Sequence, residues 1–191
     1  MLRVYGTIKH SSFADQFDNE INDLASWSKE IVEAAFAQPR VSLSSFTTAM
    51  CIDVLQTNGL FYNYMNETDT FNDASATALL SAVSYRLATA SISISTLEAA
   101  EQSRLAVYNS IDSNGVLSPV ANPMSYAEQG TMSPEGQAFV LLMDAAWRDW
   151  KAGGGKVTDQ QQNTSTASVT RILGSRVTML AFVASLAALC L

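Results

Sequence analysis

Cysteine and histidine are almost missing from this chain of 191 residues, which has two cysteines and one histidine. Cys51 sits in a stretch without periodicity and Cys190 in an apolar tail, so they make no case for a disulfide. A lone His10 argues against a histidine-based metal site and against a Ser-His-Asp triad. Neither the P-loop nor the GxGxxG pattern occurs. No metal and no cofactor are therefore expected. Positive charge is scarce as well: 11 Lys and Arg stand against 18 Asp and Glu, a net charge of −7. That balance disfavours nucleic acid or an anionic membrane surface as partner, though not an anionic sugar, for which local charge decides. Met1 to His10 has no continuous apolar run and no small-residue cleavage site, so it does not read as a signal peptide. It reads as a short strand or a ragged start.

What is present is mostly helical. Ser133 to Trp150 begins with a hydroxyl suited to an N-cap, a proline suited to the first helical position and an acid suited to the first turn. Ala138, Phe139, Leu141, Leu142, Ala145, Ala146 and Trp150 then give a wide apolar surface. A twin lies 62 positions earlier: Asp73 to Arg86 aligns with Glu135 to Arg148. An acid opens each copy, Leu79 and Leu80 match Leu141 and Leu142, and Tyr85 and Arg86 match Trp147 and Arg148. Related loops precede them, with Asn58, Gly59, Leu60 and Phe61 matching Asn114, Gly115, Val116 and Leu117. A further helical pattern runs from about Thr96 to Ser110. A repeat of two helices and a long loop points to a helical toroid or solenoid.

Ser12 to Ala37 is a third helical pattern. Phe13, Phe17, Ile21, Leu24, Trp27, Ile31, Ala34 and Ala35 form its apolar stripe, and Asp15, Asp18, Glu20, Asp23 and Glu33 its solvated face. Residues 41–54 lack periodicity and a counterpart in the second copy, which fits an inserted loop or a translated intron. Ala88 to Ser95 alternates like a strand but is too short to form a sheet alone, so it reads as a bridge between helices. Arg86, Glu98, Glu101 and Arg104 read as exposed helix charges.

The run Gly59 to Leu80, followed by Tyr85 to Ala88, resembles the fungal six-hairpin glycosidases of glycoside hydrolase family 105. Pro119 to Pro123, Ser133 to Phe139 and Ala146 to Trp150 are similar to the end of the same domain. The resemblance covers about residues 13–150 and implies an all-α fold, an (α/α) six-hairpin toroid. It further implies hydrolysis of the 4,5-unsaturated uronic acid that pectin lyases leave at a chain end, with an Asp as general acid/base. A full six-hairpin barrel needs roughly twice this length. The expectation is thus a partial barrel of three hairpins or fewer over residues 1–152, the C-terminal half of such a domain. No residue here matches the catalytic aspartate, and the chain alone is expected to be inactive. An open half would expose apolar helix faces and invite self-association.

Carboxylates are what the chain offers for glycoside chemistry. Asp73 and Glu135 open equivalent helices, as sugar contacts or as caps. Phe61, Tyr62, Tyr64 and Tyr126 suit stacking on sugar rings or plugging the core. Asn122, Ser133 and Gln137 are candidate hydroxyl binders. The partner implied by the resemblance is an oligosaccharide. The alternative reading is a non-catalytic, surface-anchored helical module that binds carbohydrate or is vestigial.

Past Trp150 the composition changes. Residues 153–176 are small and polar and read as a flexible linker. Residues 177–191 carry no charge and are short for a membrane-spanning helix. A small-residue stretch, a polar spacer and an apolar tail fit a GPI-attachment signal with Ser165 as the attachment residue; a tail anchor or a read-through end are the alternatives. Such a signal acts only on a secreted chain, so the true start is expected upstream and the chain at the cell surface. The Asn66 sequon fits that route.

Overall fold

The computed structural model describes residues 1–38, 40 and 59–156. The proposed insertion at 41–54 with Cys51, residues 157–176 with Ser165, and the tail 177–191 with Cys190 lie outside the described residues. In chain order the elements are α1 (Leu2–Lys9), a 3-10 turn (Ala14–Gln16), α2 (Asp18–Phe36), β1 (Phe61–Tyr62) and β2 (Asn72–Asp73). There follow α3 (Ala74–Thr89), α4 (Leu97–Asn109), β3 (Val120–Asn122), β4 (Ser125–Gly130) and α5 (Pro134–Ala152). The fold is mostly helical, but the all-α expectation needs a correction. β1 pairs with β2 and β3 with β4, each pair an antiparallel hairpin just before a long helix.

α3 is the centre. Its first turns are built of small residues, and Ala74, Ser75, Thr77, Ala78, Ser81, Ala82 and Ser84 are all buried. Small side chains let neighbouring helices approach closely, while the hydroxyls bond back into their own helix. Thr77 Oγ1 donates to Asp73 O at 2.7 Å, and Ser81 Oγ to Thr77 O at 2.8 Å. A buried hydroxyl satisfied in this way carries little desolvation penalty.

α5 lies along α3 in the same direction. At their N-terminal ends Gly136 meets Ser75; near their C-terminal ends the Tyr85 and Trp150 rings lie 5.4 Å apart and Arg86 pairs with Asp149. The two copies of the repeat are therefore parallel neighbours. Gly59 and Gly115 both adopt positive φ, and Phe61 and Leu117, which match each other, both fill the core. α4 returns along α3, with Ser84 bonded to Thr96 and the Tyr85 hydroxyl donating to Glu101 at 2.6 Å. α2 packs on α3 through Val32 and Phe36, the latter edge-on to Phe61 at 5.0 Å. α5 stops at a Schellman turn. Gly154 is left-handed at φ 83°, Gly155 N–H donates to Trp150 O and Gly154 N–H to Lys151 O, both at 3.0 Å. The three glycines read as linker are thus a helix stop.

Three further readings are corrected. Met1 to His10 is neither strand nor ragged: Leu2–Lys9 is helical, with Tyr5 buried. Val4, Gly6, Thr7 and Ile8 are weak helix formers, and packing on α2 outweighs that propensity. The buried side of α2 is Ser28, Val32, Ala35 and Phe36. That is about one residue step, or about 100°, round from the stripe read in the sequence. Phe13, Phe17, Trp27 and Ile31 of that stripe are exposed.

Arg104, read as exposed, is buried. Its guanidinium lies 4.5 Å from the Trp147 ring centroid and 5.3 Å from that of Tyr108, and its Nη2 donates to Glu101 Oε2 at 3.0 Å. Burial alone would lower the Arg104 pKa, but the Glu101 carboxylate outweighs it and the net direction is upward. Burial and then the Glu101 carboxylate drive the Tyr85 pKa well above the ordinary phenol value. Tyr108, half-buried and donating to Asp144 at 2.7 Å, moves the same way for the same two reasons.

The sign of the pH effect follows. Both tyrosines titrate higher in the folded chain than unfolded, so their contribution is fully present below about pH 10. Above that pH the unfolded chain releases protons that the native chain keeps. Stability is expected to fall with a slope of up to about 1.4 kcal/mol per pH unit from Tyr85. Urea midpoints at rising alkaline pH check this against Tyr85→Phe, which should flatten the slope. Equal slopes in the two chains would contradict it.

Candidate functional site

The residues singled out in the sequence gather at the shared N-terminal end of α3 and α5. Asp73 is the N-cap of α3, Oδ1 accepting from Ser75 N–H at 2.8 Å and also from the Ser75 hydroxyl. Ser133 is the N-cap of α5, Oγ accepting from Gly136 N–H at 3.0 Å and donating to Glu135 Oε2 at 3.1 Å. Both caps are buried. Asp73 thus corresponds in role to Ser133 rather than to Glu135, two positions off the sequence alignment. Its Oδ1 caps the start of α3, the capping role that the sequence offered for it. Glu135 is exposed in the first turn, where the helix dipole favours it.

The hairpins border this end and are tied to each other and to the helices. Asn63 Nδ2 donates to Tyr126 O at 2.8 Å, joining the first hairpin to the second. Ala74 N–H, the first of α3, donates to Pro119 O at 2.9 Å. Phe61 N–H donates to the Thr77 hydroxyl at 3.0 Å, and Gln137 Nε2 to Gly115 O at 2.9 Å. Gly115 itself belongs to a turn held by Asp112. Bonds from Val116, Asn114 and Gly115 N–H keep that carboxylate below its ordinary range. Asn122 Oδ1 accepts from Met124 N–H at 2.9 Å, an Asx turn that closes the β3–β4 hairpin through Pro123 and Met124.

Of the aromatic candidates, Phe61 is a core plug with no exposure and Tyr62 is half-buried, whereas Tyr64 is 44 % and Tyr126 71 % exposed. Tyr64 lies in the loop after β1 and Tyr126 on β4, on the two hairpins that Asn63 links. Asn122 and Gln137 are half-buried, each with one amide atom bonded to backbone. Among the described residues the Asn122 NH₂, the Gln137 Oε1 and the exposed Tyr64 and Tyr126 rings are not engaged by these bonds, and side chains of these types suit hydrogen bonding to and stacking on a hydroxyl-rich ligand. Among the described residues no three His, Cys, Asp or Glu side chains converge as a metal site. Asn66 is exposed in the loop between β1 and β2.

Sequence reasoning missed Asn63 and Thr77, which fix the hairpins to the helix, because both act on residues distant in the chain. Asn122-Pro123 was a legible turn signal for the second hairpin. Comparison with protein-family models, with curated proteins and with solved structures finds no match to this chain.

Proposed function

We propose that this chain is an arc of a six-hairpin glycosidase-like (α/α) toroid whose hairpin-lined end binds pectin-derived unsaturated oligosaccharides. In this reading α1, α3 and α5 are inner helices and α2 and α4 outer ones. The observation that carries it is the side-by-side, parallel pairing of α3 and α5, each entered through a hairpin at the same end. Toroids of helical hairpins place their inner helices in this way. Binding rather than hydrolysis is the proposed role of the chain by itself, because no residue here matches the catalytic aspartate that the resemblance implies and the buried Asp73 caps α3 through its Oδ1.

Titration calorimetry with an unsaturated rhamnogalacturonan disaccharide tests the proposal. Binding is expected, with Tyr64→Ala and Tyr126→Ala each weakening it about 3- to 10-fold, the stacking increment of one aromatic ring. No heat at millimolar sugar would remove the binding role. Loss of the unsaturated uronide absorbance would instead show an active enzyme and overturn the non-catalytic reading.

The proposal includes attachment at the cell surface through a lipid at Ser165 and a glycan at Asn66. Among the described residues no helix is long and apolar enough to cross a membrane. Release from cells by a phosphatidylinositol-specific phospholipase is the expected result; resistance to it would exclude the lipid.

A further inference from the structure

We infer that Asn114 is a site of spontaneous deamidation, and that the isoaspartate formed there unties Gly115 from the start of α5. The sequence has two Asn-Gly pairs, 58–59 and 114–115, and Asn58 lies outside the described residues. Asparagine is chemically labile, and a following glycine, with no side chain, obstructs ring closure onto it least. Asn114 and Gly115 are both exposed, and no atom lies within 4 Å of where a Gly115 Cβ would stand. Water and hydroxide reach the pair, and a five-membered ring has room to form.

The reaction needs no co-reactant but water. Hydroxide takes the Gly115 amide proton, the nitrogen bonds to Asn114 Cγ, the Cγ–Nδ2 bond breaks, and ammonia leaves with a proton drawn from water. Water then opens the cyclic imide. Breaking its C–N bond to Cγ gives aspartate; breaking the one to the main-chain carbonyl carbon gives isoaspartate, with the chain running through Cβ and Cγ. Nothing is oxidised or reduced. The turn itself opposes the first step: Gly115 N–H donates to Asp112 O at 3.0 Å, and the Asp112 carboxylate accepts from the Asn114 and Val116 amides on either side. One exposed hydrogen bond slows such a step by up to about 10-fold.

The two products act differently on the fold. Gly115 O accepts from Gln137 Nε2 at 2.9 Å, and the loop is closed by the bridge of Ile111 to the buried Leu117 and by Asp112 N–H donating to Val116 O at 3.0 Å. Isoaspartate adds one main-chain atom inside this closed loop, so Gly115 O moves off Gln137. Aspartate leaves the path of the chain as it is. It sets a second carboxylate beside Asp112, whose Oδ2 lies 3.4 Å from Asn114 Nδ2.

Peptide mapping by mass spectrometry on the full chain, aged at mildly alkaline pH beside an aliquot in urea, reads the site. Conversion at Asn114 is expected, at a rate no more than about 10-fold below that of the unfolded aliquot. A rate more than about 100-fold below it, or conversion confined to Asn58, would overturn the inference. Isoaspartate is scored by enzymatic methylation of its carboxyl group. Asn114→Gln, which would have to close a six-membered ring, should stay unmodified at this position, and freshly made Asn114→Asp supplies the aspartate product alone. Amide hydrogen exchange at Gly136 and Gln137 should quicken in the aged chain but not in Asn114→Gln aged alongside, nor in Asn114→Asp. The same exchange in all three chains would overturn the untying of α5.

Discussion

Replacing Trp150 by alanine is expected to destabilise the fold by about 3–5 kcal/mol, the usual cost of removing a buried Trp or Phe. Trp150 is buried, and its ring lies 5.4 Å from that of Tyr85, itself fully buried. It also supplies the carbonyl that receives Gly155 N–H, so the ring sits at the junction of α3, α5 and the helix stop. Collapse around the gap is limited by the commitments of the neighbours. Tyr85 is held by Glu101, and Glu101 by Arg104, which lies against Trp147. For a domain of this size the loss corresponds to roughly 10–15 °C in Tm. Differential scanning calorimetry measures it, and a fall of less than about 3 °C would mean that the Trp150 ring is not packed as described.

The second large effect comes from one of the smallest residues. A Cβ at Gly136 would lie 3.0 Å from Ser75 Cβ and 3.4 Å from both Leu117 Cδ2 and Ser133 Cβ. Alanine should be close to neutral, because a gain of up to about 1 kcal/mol in helix propensity offsets the squeeze. Valine adds two methyl groups for which there is no space, and they press on the cap of α5 and the first turn of α3 together. The expected cost is about 2–3 kcal/mol, as for other overpacked sites. Urea unfolding of the alanine and valine chains side by side separates the two effects. Equal stability of the two would contradict the close approach of the helices. Weakened sugar binding in Gly136→Val beyond its loss of folded protein would tie that approach to the candidate site.

Helix starts were the most legible part of the structure, because caps are local. Ser133, Pro134 and Glu135 could be read from three consecutive letters, and Ser133 caps as expected. Asp73 was legible as a helix start but not as a buried cap, since its exposure depends on the hairpins that cover it. The register of the repeat was legible to within two residues, and the loop glycines Gly59 and Gly115 marked it correctly.

The buried face of α2 was not legible. Val32 and Phe36 on one side compete with Trp27 and Ile31 on the other, and periodicity cannot choose between two apolar faces. The choice belongs to the partner helix. Arg104 fails for a related reason: what makes its burial possible is an aromatic pair, Tyr108 and Trp147, of which one member is on another helix. The hairpins were missed because strands as short as Phe61–Tyr62 and Asn72–Asp73 leave no alternation to detect. Among the candidate site residues, the aromatic ones sorted themselves by depth: Phe61 into the core, Tyr64 and Tyr126 to the surface.

The glycine stop at the end of α5 has a bearing on how the molecule would be displayed. Whatever follows Lys156 departs from the end of the helices opposite to the hairpins. The 19 residues of α5 put about 28 Å between that exit and Ser133, at 1.5 Å per residue. In the proposed anchoring, that exit lies at the helix end away from the hairpins that carry Tyr64 and Tyr126.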